Sequence, residues 1–423
     1  MIGSRRLDEL AGWRPKTLFG FELSHGGWNT MTRVLSTKSA WIGLLAFVAA
    51  VRTDEPASVR LAAAGRWVLM RDGEPAPHDD FIRGLQTSGL AFDGKLLWSV
   101  GDQRSAFPGA LFAIRPGTGR LEFEPMPLEA DEPKIKQQIA AWGRIDAEGI
   151  EVLSREERRF VVLIEDQATA AMVVRIAEPS RAMVEAIWEF QFPDGAAPRP
   201  YRDDRNYRLE GIAIDAEAHR GYVAFERDYA NRPHLYQFDL SAAPRAGIGS
   251  VQLAELPFRD WDKLGGRPRT LLNANGLEFF RTAAGEPRLM VLCRDRELFF
   301  IMNPESGRLV AQFEVEFNSP DGERIEWASP EGIALDRERG IVYIISDPDS
   351  TDGNWRLRST PRATGLFAKY VPLLFDLKLP AELSESQPQP GFDSFHHSPL
   401  GLSQSFNGFC TTRLNRIIDS GAP

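Results

Sequence analysis

The sequence contains little cysteine and has no excess of positive charge. Its two cysteines, Cys293 and Cys410, are too few for a disulfide framework, and neither lies in a CxxC or Cys/His spacing typical of a metal site. Lys and Arg number 50 against 59 Asp and Glu, which gives a net charge of −9. Because binding to a phosphate backbone requires a positive field, this charge argues against a nucleic-acid partner.

Recognisable catalytic motifs are also missing. The chain has no GxSxG turn, no HExxH motif and no glycine-rich phosphate loop after a strand. Among its 6 histidines, His234 precedes the predicted strand LYQFDL and is a weak candidate for a catalytic base, whereas His219 lies in a predicted turn. His396 and His397 have no third ligand residue nearby, so we expect them to be solvated.

No apolar run is long enough for a stable membrane-spanning helix, which needs about 20 residues. The longest candidate, Trp41 to Val51, follows Arg33 and Lys38 and ends in small alanines. This order is typical of a secretory signal peptide (residues 31–52) that starts near Met31, and it predicts a periplasmic or secreted protein. A short buried or amphipathic helix is the alternative.

Composition divides the chain into three parts. Residues 1–56 form an N-terminal extension that includes the predicted signal peptide. Residues 381–423 are rich in Ser, Pro, Gln and Gly without periodicity, which predicts a disordered tail. Between them, residues 57–380 combine apolar runs with frequent turn residues. With 36 Gly, 29 Pro and 10 Trp in the chain, this segment favours an all-β fold.

The central segment contains a repeat. One copy reads EGIALDRERGIVYIISD, an apolar strand, a turn and a second apolar strand with an acid at each end. Related hairpins read SGLAFDGKLLWSVGD, EGIEVLSREERRFVVLIED, EGIAIDAEAHRGYVAFERD and NGLEFFRTAAGEPRLMVLCRD. The five copies start at residues 88, 148, 210, 275 and 331, and each is followed by a further apolar strand.

Four antiparallel strands at a fixed period predict the blades of a β-propeller. Five four-stranded blades fit the five copies, and six is the alternative. In the last copy Val342 and Ile344 alternate with Tyr343 and Ile345, so both strand faces are apolar, as a blade packed between two neighbours requires. The segment from Ser58 to Asp72 is predicted to supply the missing strand of the last blade and close the ring.

The polar ends of the hairpins should meet at one mouth of the central channel. In an antiparallel pair, the start of the first strand and the end of the second lie at the same edge. The first-strand positions are predicted to lie nearest the axis: Ser88, Glu148, Glu210, Asn275 and Glu331. The residues that follow the second strands should form an outer rim, together with Ser88: Asp102, Asp166, Asp228, Asp295 and Asp347.

Converging carboxylates repel one another unless they are protonated or bridged by a cation. Oxygen ligands without His or Cys suit Ca²⁺ better than zinc or copper. The sequence therefore predicts a calcium site, and the alternative is that each acid accepts backbone hydrogen bonds that lock the blades. Nearby arginines, such as Arg227, Arg232, Arg294 and Arg296, could grip an anion or pair with these acids, and pairing is the simpler interpretation.

The order and spacing of these motifs resemble the SdiA-regulated family of bacterial extracytoplasmic proteins over residues 58–377. They are also similar to the phytase-like (esterase-like) propellers, which share EGI hairpins. The resemblance implies a five-bladed, calcium-containing propeller distantly related to NHL repeats. Carried over by position, the metal ligands are Glu148, Glu210, Asn275 and Glu331. The chain departs from the pattern in Ser88 and in long loops such as ADEPKIKQQIAAWGRID.

Two functions follow from this pattern. The first is an exported, monomeric binding module that holds calcium and takes an unidentified small molecule or protein at the channel mouth. The second is a calcium-dependent hydrolase of phosphoesters, esters or lactones, in which the metal polarises the scissile group and an acid or His234 acts as base. A propeller fold hosts both, so enzymatic activity stays open at this point.

Overall fold

The computed structural model describes most of the central segment. The described ranges are 57–77, 84–164, 169–178, 181–193, 195, 197–198, 209–265, 272–325, 328–347 and 371–380. The predicted signal peptide, the C-terminal tail and Asp166 lie outside the described residues.

The regular secondary structure of the described chain is almost entirely β-strand. In order, its strands and its helix are β1 Ala57–Trp67, β2 Thr87–Phe92, β3 Leu97–Gly101, β4 Leu111–Ile114, β5 Leu128–Glu129, α1 Pro133–Trp142, β6 Ala147–Ser154, β7 Arg159–Ile164, β8 Ala170–Glu178, β9 Arg181–Gln191, β10 Leu209–Asp215, β11 Arg220–Phe225, β12 His234–Asp239, β13 Gly247–Gln252, β14 Ala254–Glu255, β15 Gly276–Arg281, β16 Pro287–Cys293, β17 Leu298–Asn303, β18 Arg308–Asn318, β19 Pro330–Asp336, β20 Ile341–Ser346 and β21 Leu373–Lys378. Two short 3₁₀ turns cover Leu240–Ala242 and Trp261–Lys263.

Each predicted hairpin is an antiparallel pair that continues into a third strand. We number these groups as units 1 to 5: β2–β4, β6–β9, β10–β12 with β14, β15–β18, and β19–β21. Within every unit the strands pair in chain order. The five repeated hairpins predicted from the sequence are therefore confirmed.

The outer strands join neighbouring units. Residues 57–64 of β1 pair in parallel with β18 of unit 4, and residues 65–67 pair antiparallel with β21 of unit 5. The N-terminal strand predicted at Ser58–Asp72 thus borders the last unit, although it ends at Trp67. A similar connection occurs earlier in the chain: β13 pairs with β9 of unit 2, and the next strand, β14, pairs with β12 of unit 3.

The first strands of the units contact one another in a cycle. The strand β2 contacts both β6 and β19, and β10 and β15 complete the order between them. Glycine permits this close approach: a Cβ at Gly332 would lie 2.4 Å from the carbonyl carbon of Gly89, and one at Gly149 would lie 2.9 Å from the Glu210 carbonyl oxygen.

Apolar cores fill the spaces between units. Val342 and Ile344 of β20 pack toward unit 4, in one cluster with Met290. Tyr343 of the same strand lies in another cluster with Leu97 of unit 1. Both faces of the strand are therefore buried, as predicted, and the fold is all-β and of the β-propeller type.

One predicted loop contains a helix. The segment ADEPKIKQQIAAWGRID includes α1, whose N-terminus is capped by Glu132, because its carboxylate accepts a 2.7 Å hydrogen bond from the Ile135 amide. Pro133 occupies the first turn, where its missing N–H is not needed. Ile135 and Trp142 anchor the helix in the core between units 1 and 2. Among the described residues, no helix has the length and apolarity to cross a membrane.

Candidate functional site: a carboxylate–guanidinium cluster at the channel mouth

The motif-start residues lie at one end of the first strands. Ser88, Glu210, Asn275 and Glu331 are buried, and Glu148 is half-buried. The pairing register shifts at this point in four hairpins: between Ser88 and Ala91, Ala147 and Ile150, Leu209 and Gly211, and Pro330 and Gly332. These β-bulges redirect the side chains of the motif start, a common device next to functional sites.

The rim residues lie at the same edge as the motif starts. The amide of Asp102 donates to the carbonyl oxygen of Gln86 at 3.0 Å, and the amide of Asp347 donates to that of Ser329 at 2.9 Å. Each of these bonds joins the end of a second strand to the residue two positions before the motif start. The geometry predicted for the hairpins is therefore present in units 1 and 5.

Arg294 is the cation at the centre of the cluster. Its guanidinium donates to Glu226 of unit 3 at 2.7 Å and also bonds Glu331 of unit 5. Burial alone would lower the pKa of Arg294, but the charges of Glu331, Glu226 and Asp295 outweigh it and raise that pKa above its usual range. One side chain of unit 4 thus links three units through charge-assisted hydrogen bonds.

A second arginine and an asparagine extend this network. Arg227 of unit 3 donates to Asp295 of unit 4 at 2.9 Å. Asn273 donates to Glu226 Oε1 at 3.2 Å, while its own Oδ1 accepts from the Asp295 amide at 3.2 Å. The pairing of arginines with acids predicted from the sequence holds for Arg227 and Arg294. Arg296 instead donates to the Leu264 and Gly265 carbonyls.

Glu210 differs from Glu226, Glu331 and Asp295 because no described arginine pairs with it. It is 5% exposed, and no described residue forms a hydrogen bond or ion pair with its carboxyl group. Burial, and then the charges of Glu226 and Glu331, raise the pKa of Glu210 well above its usual range; Arg294 opposes this and Asp146 adds to it. Within the described chain, Glu226 Oε2 and Glu331 Oε2 are also buried without a hydrogen bond.

Asp102 of unit 1 and Asp146, which directly precedes β6 of unit 2, form a pair of acids. Burial and the neighbouring Asp146 raise the pKa of Asp102 to about 8, against a bond from the Arg104 amide that acts the other way. Asp146 accepts from the amide and the side chain of Gln103, at 3.2 and 2.8 Å. Asp102 therefore carries a proton at neutral pH, and it donates this proton in a hydrogen bond that Asp146 accepts.

A further pair of buried acids lies along the first strands beyond the mouth. Glu151 of β6 and Glu278 of β15 both follow the motif start by three residues. Burial, and then the charge of Glu278, raise the pKa of Glu151 well above its usual range. Its Oε1 accepts a 2.7 Å bond from the Val152 amide, a backbone partner of a kind that Glu210 does not have among the described residues.

His234 lies between two carboxylates. Its Nδ1 is 2.9 Å from Glu255 Oε1, and its Nε2 is 3.1 Å from Asp228 Oδ2. The ring also stacks on Tyr236. Asp228 in turn accepts from the Arg232 amide at 2.8 Å, which holds the loop in place. Both ring nitrogens are therefore engaged by carboxylates, and neither offers a free lone pair at the channel mouth.

The carboxylates are more widely spaced than a metal site requires. Ca²⁺ takes six to eight oxygens at 2.3–2.6 Å. In the ranges that the structure covers, no three Asp, Glu, His or Cys side chains are close enough to hold a metal ion. The position between Glu226 and Glu331 is taken by the Arg294 guanidinium. The residues present fit calcium only if they move together, and the calcium site stays a prediction.

Sequence reasoning missed three residues of this cluster: Glu226, Asp146 and Asn273. The local signal was present, since Asp146 and Asn273 precede Glu148 and Asn275 by two positions. Residues two apart on a strand lie on the same face. Glu226 lies next to Arg227 at the end of β11, where it reads as part of an ordinary charged turn.

No protein-family model matches the chain. Solved structures to which it is similar include a luciferin-regenerating enzyme, with 11% identity over 70% of this chain and 92% of that chain and a TM-score of 0.37. The glutaminyl cyclase of Myxococcus xanthus shares 11% identity over 77% and 99%, with a TM-score of 0.38. The Cps50 (Swd1) β-propeller domain of Myceliophteria thermophila shares 12% identity over 68% and 96%, with a TM-score of 0.28. Likeness at this level transfers no activity to this chain.

Proposed function

We propose that this protein is a binding module: a five-bladed β-propeller, closed by β1, whose channel mouth binds a positively charged ligand. The cyclic contacts of the first strands and the pairing of β1 with β21 support the blade count and the closure. Strand exchange between neighbouring units supports a rigid ring on which a site can be preorganised.

The observation that carries the proposal is a group of buried acids at the channel mouth: Glu226 Oε2 and Glu331 Oε2 have no hydrogen bond among the described residues, and Glu210 is 5% exposed. A polar group buried without a hydrogen bond costs about 1–3 kcal/mol, and an ionised one costs more. Folded proteins keep such groups mainly where they act on a ligand or a reaction. The charges around Glu210 are mostly negative, so the complementary ligand is a cation.

A calcium-dependent hydrolase is the second candidate. The sequence offered His234 as its weak candidate base, but Asp228 and Glu255 engage both nitrogens of that ring. A base needs a lone pair within hydrogen-bond reach of the proton that it removes. We therefore favour binding, and catalytic residues stay unassigned.

We further propose that the protein binds calcium, that it is exported, and that it is of the SdiA-regulated type. These proposals rest on the oxygen-rich motif starts Glu148, Glu210, Asn275 and Glu331, on the signal-like segment at residues 31–52, and on the motif resemblance. Fractionation of cells that produce the full chain tests export: we expect the protein outside the cytoplasm, shortened at its N-terminus.

Thermal unfolding with Ca²⁺ and with a chelator tests the calcium proposal. A metal that binds only the folded state raises the melting temperature. We expect a rise with Ca²⁺ in the wild type and in the control Glu151→Gln, and a smaller rise in Glu210→Gln. No shift in the wild type would rule out calcium. Turnover of generic phosphate or ester substrates that Glu210→Gln abolishes would favour the hydrolase instead.

A further inference from the structure

The outer edge of unit 2 is formed by β13. This strand pairs in parallel with β9 over residues 247–252, without a shift of register. The Leu253 amide extends the ladder, because it donates to the Gln191 carbonyl oxygen at 2.8 Å. Successive residues of a strand direct their N–H and C=O groups to opposite edges, so every second residue counted back from Leu253 faces β9. The residues between them direct these groups away from the sheet: Ile248, Ser250 and Gln252.

These outward groups have no partner in the part of the chain that the structure describes. Ile248, Ser250 and Gln252 make no described hydrogen bond beyond the strand pair with β9. All three residues are exposed, and Ile248, at 37%, is one of two large apolar side chains that the described residues expose. Unpaired N–H and C=O groups at a sheet edge are a template for another strand. The strand β13 is therefore an open edge.

The sequence of β13 does nothing to block this edge. Natural proteins protect edge strands with charged residues, proline or bulges. The strand reads GIGSVQ and contains none of these. On unit 4 the corresponding outer strand is β1, which carries Arg60 with a side chain that is 87% exposed and pairs with Glu314. The uncharged edge of β13 is thus suited to pairing with another strand.

We propose that β13 is a dimer interface, at which a second copy of this chain adds its own β13 in antiparallel orientation across a two-fold axis at Ser250. The sheet of unit 2 then continues into the sheet of the second copy. The sequence predicted a monomer, whereas this open edge favours a dimer. The interface uses no residue of the channel-mouth cluster, so it is independent of the proposed function.

Symmetry and charge favour a second copy over an unrelated strand. A two-fold axis at Ser250 pairs this residue with itself and pairs Ile248 with Gln252 of the second copy. Each of these pairs exchanges two backbone hydrogen bonds. Exposed residues of opposite charge flank the strand, with Arg245 before it and Glu255 after it. An antiparallel arrangement brings the basic end of one copy toward the acidic end of the other.

Sedimentation velocity on the full chain, over a range of protein concentrations, tests the inference. We expect a reversible equilibrium between monomer and dimer. Ser250→Lys and Ser250→Glu each place like charges opposite one another across the axis, which destabilises a strand pair. Each variant alone should dimerise about tenfold or more less tightly than the wild type. A mixture of the two variants should dimerise again, because unlike charges then face each other.

Two further variants separate the edge from other effects. Ala62→Lys adds the same charge at an exposed position of β1 and should leave dimerisation unchanged. Ser250→Pro removes an outward N–H without removing a bond to β9, and proline is tolerated on an edge strand. It should weaken the dimer as the charged variants do. Equal melting temperatures, at a concentration where the wild type is monomeric, show that each variant folds.

Chemical cross-linking tests the register of the pair. In a Cys410→Ser background the remaining thiol is Cys293, which is buried. Ser250→Cys should then be joined into a dimer by a short bis-maleimide, because the Cα atoms of a hydrogen-bonded antiparallel pair lie about 5.5 Å apart. Ser58→Cys, at an exposed position of β1, should remain monomeric under the same conditions.

The outcomes that would overturn this inference are distinct. A monomer at every concentration would mean that another segment of the chain or another partner covers the edge. A dimer that Ser250→Lys and Ser250→Pro leave intact would form at another surface. A mixture of Ser250→Lys and Ser250→Glu that associates no better than either variant alone would exclude the two-fold axis at Ser250. Each of these results would leave the proposed cation binding at the channel mouth unaffected.

Discussion

Replacing Asp102 by asparagine should change how the stability of the protein depends on pH. The pKa of this carboxyl is about 8 in the folded protein, against 3.8 for an ordinary aspartate, because burial and Asp146 disfavour its charge. Between these two pH values the folded state holds a proton that the unfolded chain has released. Stability therefore falls as pH rises through this window.

The size of the effect follows from that proton. One proton bound only by the folded state lowers the free energy of unfolding by about 1.4 kcal/mol for each pH unit. From pH 5 to pH 7 this amounts to roughly 3 kcal/mol, which is an upper limit because Asp102 is only partly buried. Asparagine resembles the protonated acid in shape and hydrogen bonding but does not titrate, so this slope should disappear.

Urea unfolding at pH 5, 6 and 7, followed by tryptophan fluorescence, measures the effect. The free energy of unfolding of the wild type should fall more steeply with pH than that of Asp102→Asn. The control Glu305→Gln removes an exposed acid on a turn and should keep the wild-type slope. Parallel lines for the wild type and Asp102→Asn would refute a shared proton at this site.

Two other changes test the ring and its central cation. Arg294→Gln leaves the buried carboxylates that it bridges without their cation, and urea unfolding should show a loss of about 3–5 kcal/mol; the exposed Arg60→Gln should cost less than about 1 kcal/mol. Gly332→Ala places a Cβ 2.4 Å from the backbone of Gly89, which cannot yield as a side chain would. We expect a loss of about 2 kcal/mol or more in the free energy of unfolding in the same assay. The control Gly117→Ala, which has open space around it, should have little effect. Equal losses in the two variants would contradict the close packing of the first strands.

Much of the fold follows from local patterns that are visible in the sequence. The alternation of Val342 and Ile344 with Tyr343 and Ile345 indicates two apolar faces, and the structure buries both. The helix α1 also has local signals in the sequence, namely Pro133 in its first turn and the capping residue Glu132. The segment was nevertheless interpreted as a long loop between two units. The sequence predicted that β1 borders the last unit, but its parallel pairing with β18 of unit 4 depends on which sheet edges are neighbours, and that was visible only in the structure.

The candidate site was predicted in part. The edge at which the acids lie follows from the hairpin alone, because an antiparallel pair places its start and its end together. The hairpin does not indicate which acid is neutralised by an arginine, because Arg294 is 68 positions from Glu226 and 37 from Glu331. Contacts at such separations depend on how the units curve around the axis.

The sequence by itself determined the repeat, the strand pairs and the collection of polar ends at one edge, because all three rest on short-range periodicity. Only the tertiary structure decided the distribution of charge there. It brought Arg294 between Glu226 and Glu331, paired Asp102 with Asp146, and left Glu210 without a partner among the described residues. Because these carboxylates are buried, each of them must be paired or protonated, and the arrangement of charges therefore determines their protonation.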